Sequence, residues 1–348
     1  MKIAIQNSKG SFSDRWINYC NSAGIDYKIV NCYSVSVIED ISDCDALMWH
    51  FHQNNPTAAL FAKQLLFSVE RSGKKVFPDL NTSWCFDDKV GQKYLLESVD
   101  APLASTWIFY DKLEALAWVK KCSYPKIFKL RSGAGSQNVR LVNGKREAAR
   151  IIRKAFTRGF PVYDPATNLK ERWRLFYLNK TTFKEVVKGI IRLIVPPSYS
   201  RIKGKEKGYV YFQEFIPAND YDIRVIVIGE RAFAIKRLVR KNDFRASGSG
   251  NILYERCLFE ENLIKLSFEL ANKLRSQCVA MDFIYDKRNP LLLEISYGFS
   301  PEGYDACPGY WDKNMKWHEG KFDPYGWMVE NLIKEIPSNK HMTEEISD

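Results

Sequence analysis

Two short apolar stretches near residue 290, each carrying one acidic residue, constrain the fold more than any other feature of this chain. The first is Met-Asp-Phe-Ile-Tyr-Asp at residues 281 to 286, and the second is Leu-Leu-Leu-Glu-Ile-Ser at residues 291 to 296. The Lys-Arg-Asn-Pro turn between them predicts a β-hairpin. Asp282 and Glu294 then lie within apolar strands, where a carboxylate is costly to bury without a positive partner. A shared hard cation such as Mg²⁺ would satisfy both. The alternative is a solvated sheet edge, or separate pairing with Lys and Arg.

The composition is that of a chain that can bury a large core. Its 348 residues are 45% hydrophobic, which suffices for two or three domains. The apolar runs are too short for a transmembrane segment, and the first residues enter a strand pattern without a signal-peptide arrangement, so we expect a cytoplasmic protein. The eight cysteines include no C-x-x-C pair, which argues against a zinc ribbon and against a disulfide scaffold.

The first 80 residues alternate strand and helix patterns. We expect strands at residues 2 to 6, 26 to 30, 44 to 50 and 75 to 77, and helices at residues 11 to 22 and 57 to 71. This alternation predicts a parallel sheet with helices on both faces. No G-x-G-x-x-G follows the first strand, so no dinucleotide site is expected there.

The positive charge of the chain is concentrated in residues 165 to 208. This segment contains eleven Lys or Arg and three Glu, in a chain with a net charge of +11. A basic balance is compatible with nucleic acid, an anionic membrane surface or acidic small molecules. Two helices are expected here, at residues 168 to 177 and 182 to 194. They are either a solvated pair or a platform for a large anionic substrate such as a nucleotide-sugar, a glycan or a lipid-linked intermediate.

A glycine-containing loop separates two predicted strands between residues 124 and 142. Lys129 lies near the end of the first strand, and the loop that follows reads Ser-Gly-Ala-Gly-Ser from residue 132. Glycines let the backbone approach phosphate oxygens and expose N–H groups to them, and Lys129 can add a positive charge. The sequence is not a P-loop, because G-x-x-x-x-G-K-[ST] is absent. A Gly-Ala-Gly sequence by itself is more often an ordinary turn.

Six motifs in a fixed order resemble the ATP-grasp superfamily, in the branch that contains glutathione synthetase and the ligase that adds glutamate to a ribosomal protein. They are Asp88-Lys89, Phe128-Lys129 with the glycine loop, Gln213-Glu214-Phe215-Ile216, Asp222-Ile223-Arg224, Asp243-Phe244-Arg245, and the pair Asp282 and Glu294. The resemblance covers residues 80 to 303 and depends on order and spacing. It implies a mixed α/β fold with a parallel α/β pre-ATP-grasp domain at residues 1 to 80. A small lobe with the basic insertion would follow at 81 to 212, a large lobe at 213 to 303, and an aromatic-rich extension at 304 to 348.

The resemblance also implies roles for individual residues. ATP phosphates would be bound by Lys89, Lys129, Ser132, Gly133, Gly135 and Ser136. The hinge backbone at Gln213, Glu214, Phe215 and Ile216 would meet adenine, with Glu214 or Asp222 near adenine or ribose. Arginines that stabilise an acyl-phosphate would be Arg224, Arg237 and Arg245. Asp282, Glu294 and Ser296 would hold Mg²⁺, with Mn²⁺ as an alternative metal.

The function implied by the resemblance is that of a carboxylate-amine ligase. A carboxylate would attack the γ-phosphate of ATP to give an acyl-phosphate and ADP, and an amine would displace phosphate to leave an amide. Such chemistry needs positioning and charge neutralisation, which metal, Lys and Arg provide. The substrates would be a small carboxylate and an amine. Similarity of the Glu-Ile-Ser-Tyr-Gly-Phe stretch to ATP-grasp proteins of bacterial surface-polysaccharide gene clusters implies a sugar-linked substrate. No nucleic-acid partner is expected, and a homodimer is compatible with the sequence.

Two departures from the family pattern leave other functions open. The family usually has Glu-x-Asn at the end of the metal hairpin, whereas this chain has Glu294-Ile295-Ser296, and Ala246-Ser247 follows Arg245 where Ser-Asn is common. Both changes fall on the substrate side. An ATP-grasp kinase that stops at a phosphorylated acceptor is therefore an alternative, as is a non-catalytic module that binds nucleotide or nucleic acid.

Overall fold

The computed structural model describes residues 1 to 337 except for residues 54, 134 to 137, 178, 180, 241 to 244 and 247 to 249. These residues form an N-terminal sheet and a middle sheet of four strands each, a large sheet of seven strands and a two-stranded pair. The architecture is mixed α/β with a parallel sheet at the N-terminus, as the sequence predicts.

The N-terminal sheet has the strand order β2-β1-β3-β4, and every pair in it is parallel. Its elements are β1 (Lys2–Gln6), α1 (Phe12–Ala23), β2 (Asp26–Val30), α2 (Val37–Asp40), β3 (Ala46–Met48), α3 (Pro56–Arg71) and β4 (Lys75–Phe77). The central strands β1 and β3 read as nearly continuous apolar runs because helices cover both faces of such a sheet. The side chain of Ser11 caps α1, and Gly24 ends it in the left-handed conformation.

The middle sheet has the order β5-β10-β6-β7 and is antiparallel. The chain runs through α4 (Leu80–Ser83), α5 (Lys89–Ser98), β5 (Thr106–Phe109), α6 (Lys112–Trp118), β6 (Lys126–Lys129), β7 (Arg140–Val142), α7 (Lys145–Ala155), β8 (Phe160–Pro161), α8 (Pro165–Tyr177), α9 (Phe183–Ile194), α10 (Ser198–Lys203), β9 (Lys205–Glu206) and β10 (Val210–Glu214). After the long basic segment, β10 returns between β5 and β6. Its buried Phe212 packs near Phe128 and Trp118.

The large sheet has the order β15-β14-β11-β12-β16-β17, and β13 pairs with β12. Its elements are β11 (Tyr221–Ile228), β12 (Arg231–Leu238), β13 (Ile252–Leu253), α11 (Glu261–Leu274), β14 (Cys278–Asp286), β15 (Asn289–Ser296), β16 (Gly309–Asp312), β17 (Trp317–Glu319) and α12 (Pro324–Lys334). The predicted hairpin is confirmed as β14 and β15. Asp282 pairs directly with Glu294, and the register shifts just after Asp282.

The aromatic residues after residue 303 pack into the body of the protein. β16 extends the large sheet, and α12 packs against α1. The buried ring of Phe233 lies 5.1 Å from Phe322, 5.9 Å from Tyr304 and 6.3 Å from Trp327. The bounds given above for the four predicted domains remain a prediction.

No helix in the described part of the chain is both long enough and apolar enough to cross a membrane.

Phe233 provides a test of this packing. Phe233→Ala should lower the free energy of unfolding by about 3–5 kcal/mol, because the side chain is fully buried and its loss leaves a cavity among other rings. Thermal and urea unfolding would measure the effect. Leu60→Ala, at a position that is 72% exposed, should change the unfolding midpoint little. Equal midpoints for the two variants would contradict the packing described here.

Candidate nucleotide-binding site

A cleft with an empty volume of about 950 Å³ opens between the middle sheet and the large sheet. It gathers residues from β6, β10, β11, β14 and β15 that are far apart in the sequence. The predicted site residues that line it are Lys89, Lys129, Gly133, Gln213, Glu214, Phe215, Ile216, Asp222, Arg245, Asp282 and Glu294. The fold therefore brings most of the predicted site to one place.

Two lysines, one on α5 and one on β6, approach the acidic hairpin, which is the β14–β15 pair that carries Asp282 and Glu294. Lys89 begins α5, and its Nζ lies 3.7 Å from a carboxylate oxygen of Glu294 and donates a 2.6 Å hydrogen bond to the carbonyl of Gly133. Lys129 ends β6 and is buried. Burial lowers the pKa of Lys129 to about 8, although the nearby Glu294 carboxylate favours its charge. The cleft thus holds two amino groups beside two carboxylates.

The glycine loop offers backbone N–H groups that already bind carboxylate oxygens. The N–H groups of Arg131 and Ser132 donate to Glu206 at 2.9 and 3.1 Å, and that of Gly133 donates to Asp87 at 2.7 Å. Ser132 lines a neighbouring cavity together with Glu206 rather than the main cleft. Gly135 and Ser136 lie outside the described residues. The first part of the loop therefore binds anionic oxygens, which is the property that a phosphate site requires.

The hinge strand β10 carries the residues expected to meet adenine. The side chain of Gln213 donates to Thr106 Oγ1 at 3.0 Å. Glu214 accepts hydrogen bonds of 2.8 and 2.7 Å from Nζ of Lys126, which is 2% exposed and lies 5.2 Å from the centre of the Trp107 ring. Lys126 was not among the predicted site residues. Its signal in the sequence is a lysine at the start of the buried strand Lys-Ile-Phe-Lys.

Two of the predicted arginines do not line the cleft and instead form a network of buried ion pairs with two aspartates that do. Arg224 forms a two-pronged pair with Asp282, in which Nη2 lies 2.6 Å from Oδ2. Arg237 donates to both carboxylate oxygens of Asp222 at 2.6 and 2.8 Å and lies 3.0 Å from Asp282. The Arg224–Asp282 and Arg237–Asp222 pairs join direct partners on neighbouring strands. The hydroxyl of Tyr304, another residue outside the predicted set, also contacts Arg224.

The network sets the charge of the two aspartates. Burial opposes the charge of Asp282, but Arg224 and Arg237 hold its pKa well below the ordinary value. For Asp222, burial outweighs the effect of Arg237 and raises the pKa to about 6. Asp282 is therefore fully ionised at neutral pH, whereas Asp222 titrates closer to neutrality.

The acidic hairpin fits a divalent metal with two protein carboxylates. Asp282 and Glu294 face each other across β14 and β15, and a carboxylate has lone pairs left after accepting from arginine. In the described ranges, no group of three or more His, Cys, Asp or Glu is placed to hold a metal. Mg²⁺ commonly takes one or two carboxylates and completes its shell with water and substrate phosphates. Ser296 is engaged with Gly298 and lines a separate small cavity.

Comparison with known proteins agrees with this geometry. Residues 199–305 match the family model described as a RimK-like ATP-grasp domain. The alpha-aminoadipate–LysW ligase LysX of Saccharolobus solfataricus is 23% identical over 228 residues, which are 66% of this chain and 67% of LysX. Residues 199–305 are therefore similar to an ATP-grasp domain.

Solved structures with the ATP-grasp fold align with nearly the whole of this chain. A RimK domain ATP-grasp protein from Sphaerobacter thermophilus aligns with 96% of this chain and 100% of its own, at a TM-score of 0.55 and 14% identity. The biotin carboxylase domain of Hydrogenobacter thermophilus 2-oxoglutarate carboxylase aligns with 97% of this chain and 70% of its own, at a TM-score of 0.59 and 15% identity. That structure contains ADP, its magnesium salt and bicarbonate.

The buried ion pairs of the large sheet predict a large effect on stability. Asp282→Asn should lower the free energy of unfolding by about 3–5 kcal/mol, because the buried guanidinium of Arg224 loses its anionic partner and that of Arg237 loses one of two. Urea unfolding would measure it. Asp286→Asn, at an exposed position on the same strand, is the matched control and should be nearly neutral. An Asp282→Asn variant as stable as the wild type would contradict the network.

Proposed function

We propose that this protein is an ATP-dependent ligase that joins a carboxylate to an amine through an acyl-phosphate. The observation that carries the proposal is the single cleft that combines Lys89 and Lys129 with Asp282 and Glu294, next to the hinge strand. Phosphoryl transfer depends on the placement of such charges rather than on a nucleophilic side chain. The named relative LysX is itself a ligase.

The proposed reaction has two steps. A substrate carboxylate oxygen attacks the γ-phosphorus of ATP, and the bond to the β–γ bridging oxygen breaks to release ADP. The amine then attacks the acyl carbon, loses a proton and expels inorganic phosphate, which leaves an amide. Lys89 and Lys129 would bind the phosphates, and the backbone of Gln213 to Ile216 would meet adenine. Arg245, which lines the cleft, would contact the acyl-phosphate.

Asp282 and Glu294 would hold Mg²⁺, which when bound neutralises phosphate charge. Arg224 and Arg237 then have a different part from the one that the family resemblance implies. Both contact the carboxylates of the network, so we propose that they position Asp282 rather than touch the substrate.

The substrates are proposed by class only. LysX is named for alpha-aminoadipate and LysW, which favours an amino acid as one of the two reactants. The sugar-linked substrate and the surface-polysaccharide setting depend on the sequence resemblance alone. The aromatic residues Tyr304, Trp311, Tyr325 and Trp327, which could have stacked on a sugar, are buried in the protein.

A kinase is the second candidate. Ser296 stands where the family usually has Asn and bonds to Gly298, which leaves only Asp282 and Glu294 as proposed metal ligands on the substrate side of the site. ³¹P NMR with Mg-ATP and pools of amino acids, uronic acids and other amines and carboxylates separates the two functions. ADP and inorganic phosphate that form only when an acid and an amine are both present would support the ligase. ADP with a new phosphorus resonance from a stable product would support the kinase. AMP with pyrophosphate, or ATP left intact in every pool, would contradict both.

Glu294 tests the metal assignment. Glu294→Ala should reduce ATP turnover by about a hundredfold or more, because the charge that neutralises the transferred phosphoryl group is lost with the metal. The fold should persist, since the side chain of Glu294 is 31% exposed. Steady-state assays and thermal unfolding measure the two effects. Glu319→Ala, at an exposed position, is the control, and full activity in Glu294→Ala would refute the assignment.

The low pKa of Lys129 predicts a pH dependence of nucleotide binding. Lys129 is charged below its pKa of about 8 and loses its attraction for phosphate as the pH rises through that value. The dissociation constant of ATP should therefore increase between about pH 7 and pH 9, as calorimetry would show. Lys129→Arg keeps its charge in this range and should flatten the profile. The same slope in both proteins would exclude Lys129 as the cause.

A further inference from the structure

Helix α9 presents a continuous row of aliphatic and aromatic side chains to solvent. Phe183, Val187, Ile190, Ile191 and Ile194 are 39% to 85% exposed. Their spacing of four, seven, eight and eleven residues from Phe183 places them on one side of the helix. We call this set the α9 face. On the side towards α8, Val186 is fully covered and Gly189 lets the side chains of Leu169 and Arg172 approach closely, whereas Leu193 stays 47% exposed.

A row of basic residues runs along one edge of the α9 face. Lys184, Lys188 and Arg192 follow each other at intervals of four residues and so lie along one line on the helix. The acidic residue of the helix, Glu185, turns instead towards Arg172 on α8 and also contacts Lys188. The apolar row thus has a positive border over the full length of α9, about 18 Å for 12 residues.

The partner helix α8 adds two exposed aromatic side chains. Trp173 and Tyr177 are 43% and 71% exposed, and their rings lie 5.9 Å apart. Such amphipathic rings are enriched where an apolar region meets water, above all at membrane interfaces. The two helices together therefore combine aliphatic, aromatic and basic side chains on a part of the surface that a soluble protein rarely leaves exposed.

The helical pair is joined to the rest of the protein close to the candidate site. Lys203, the last residue of α10, pairs with Asp87 at 2.7 Å, and Glu206 binds the start of the glycine loop. The residues of α8 and α9 do not contribute to the described lining of the cleft. A surface that binds α9 would consequently not cover residues that line the cleft.

We infer that the α9 face binds the surface of a lipid bilayer with anionic headgroups, with α9 lying in the plane of the headgroups. Ile and Phe side chains would enter the acyl boundary, and Lys184, Lys188 and Arg192 would contact headgroup phosphates. A second copy of this chain fits less well, because its own basic row would meet a row of the same charge. An anionic bilayer surface can bury the apolar row and pair with its basic border at the same time. This inference does not depend on the reaction proposed above.

Vesicle flotation with the full chain tests the inference. Wild-type protein should float with vesicles of phosphatidylcholine and phosphatidylglycerol much more than with phosphatidylcholine alone, and less at high salt. Ile191→Ser with Ile194→Ser should weaken binding about tenfold or more. Lys184→Gln with Arg192→Gln should also weaken it about tenfold or more, since each charge lost near the surface is worth about 1 kcal/mol.

Two matched controls separate the α9 face from general surface effects. Ile38→Ser with Leu113→Ser changes aliphatic side chains that are 58% and 74% exposed elsewhere, and Lys120→Gln with Lys265→Gln removes the same charge from other exposed positions. Both controls should float as the wild type does. Equal binding to neutral and anionic vesicles, or unchanged flotation of the α9 variants, would overturn the inference. The inference would also be overturned if the wild type did not bind vesicles but self-associated, and if the α9 variants abolished that self-association. The α9 face would then join two copies of the chain.

Discussion

The two arginines paired with Asp282, Arg224 and Arg237, are what allow this carboxylate to remain ionised inside the protein. A lone buried carboxylate would take up a proton, since desolvation of its charge is costly. Here Arg224 on β11 holds its direct neighbour Asp282 on β14 with two hydrogen bonds. Arg237 on β12 binds its direct neighbour Asp222 on β11 and also reaches Asp282. The network balances two positive and two negative charges. It can form only in one strand register, so the register of the large sheet and the charge of the site depend on each other.

The cleft, which Asp222 and Asp282 of the network help to line, joins opposite charges from the sides of two separate sheets. The amino groups of Lys89 and Lys129 come from the middle-sheet side, and the carboxylates of Asp282 and Glu294 come from the large sheet. Burial of Lys129 lowers its pKa because water is excluded, and the same exclusion strengthens any interaction with an anionic ligand. The N–H groups of the glycine loop, held by Glu206 and Asp87, add a third element that binds anionic oxygens.

The basic segment serves two parts of the molecule at once. At its C-terminal end, Glu206 organises the glycine loop and Lys203 pairs with Asp87. Farther from the cleft, α8 and α9 bury mainly their mutual contact and leave a broad apolar face exposed. Two helices with so small a core gain little stability from burial. Contact with an external surface would bury the apolar side chains of α8 and α9 that the rest of the chain leaves exposed.

Local patterns in the sequence were sufficient for several features of the structure. Alternating strands and helices predicted the parallel N-terminal sheet, and two apolar runs around Lys-Arg-Asn-Pro predicted the hairpin that pairs Asp282 with Glu294. The hairpin joins residues close in the chain, whereas the alternation of strands with helices favours parallel pairing of the strands. The order of six motifs along the chain predicted the ATP-grasp fold, because order and spacing can be compared with the family pattern without knowing where the motifs lie in space.

Only the tertiary structure decided the long-range pairings. The return of β10 between β5 and β6 places Lys126 against Glu214, and β11 between β12 and β14 directs Arg224 and Arg237 to aspartates rather than into the cleft. Tyr304 reaches Arg224 from a stretch that the sequence marked only as aromatic. The sequence determined which charges the chain would carry and on which elements. Their partners depended on strand register between distant segments, which no local pattern encodes.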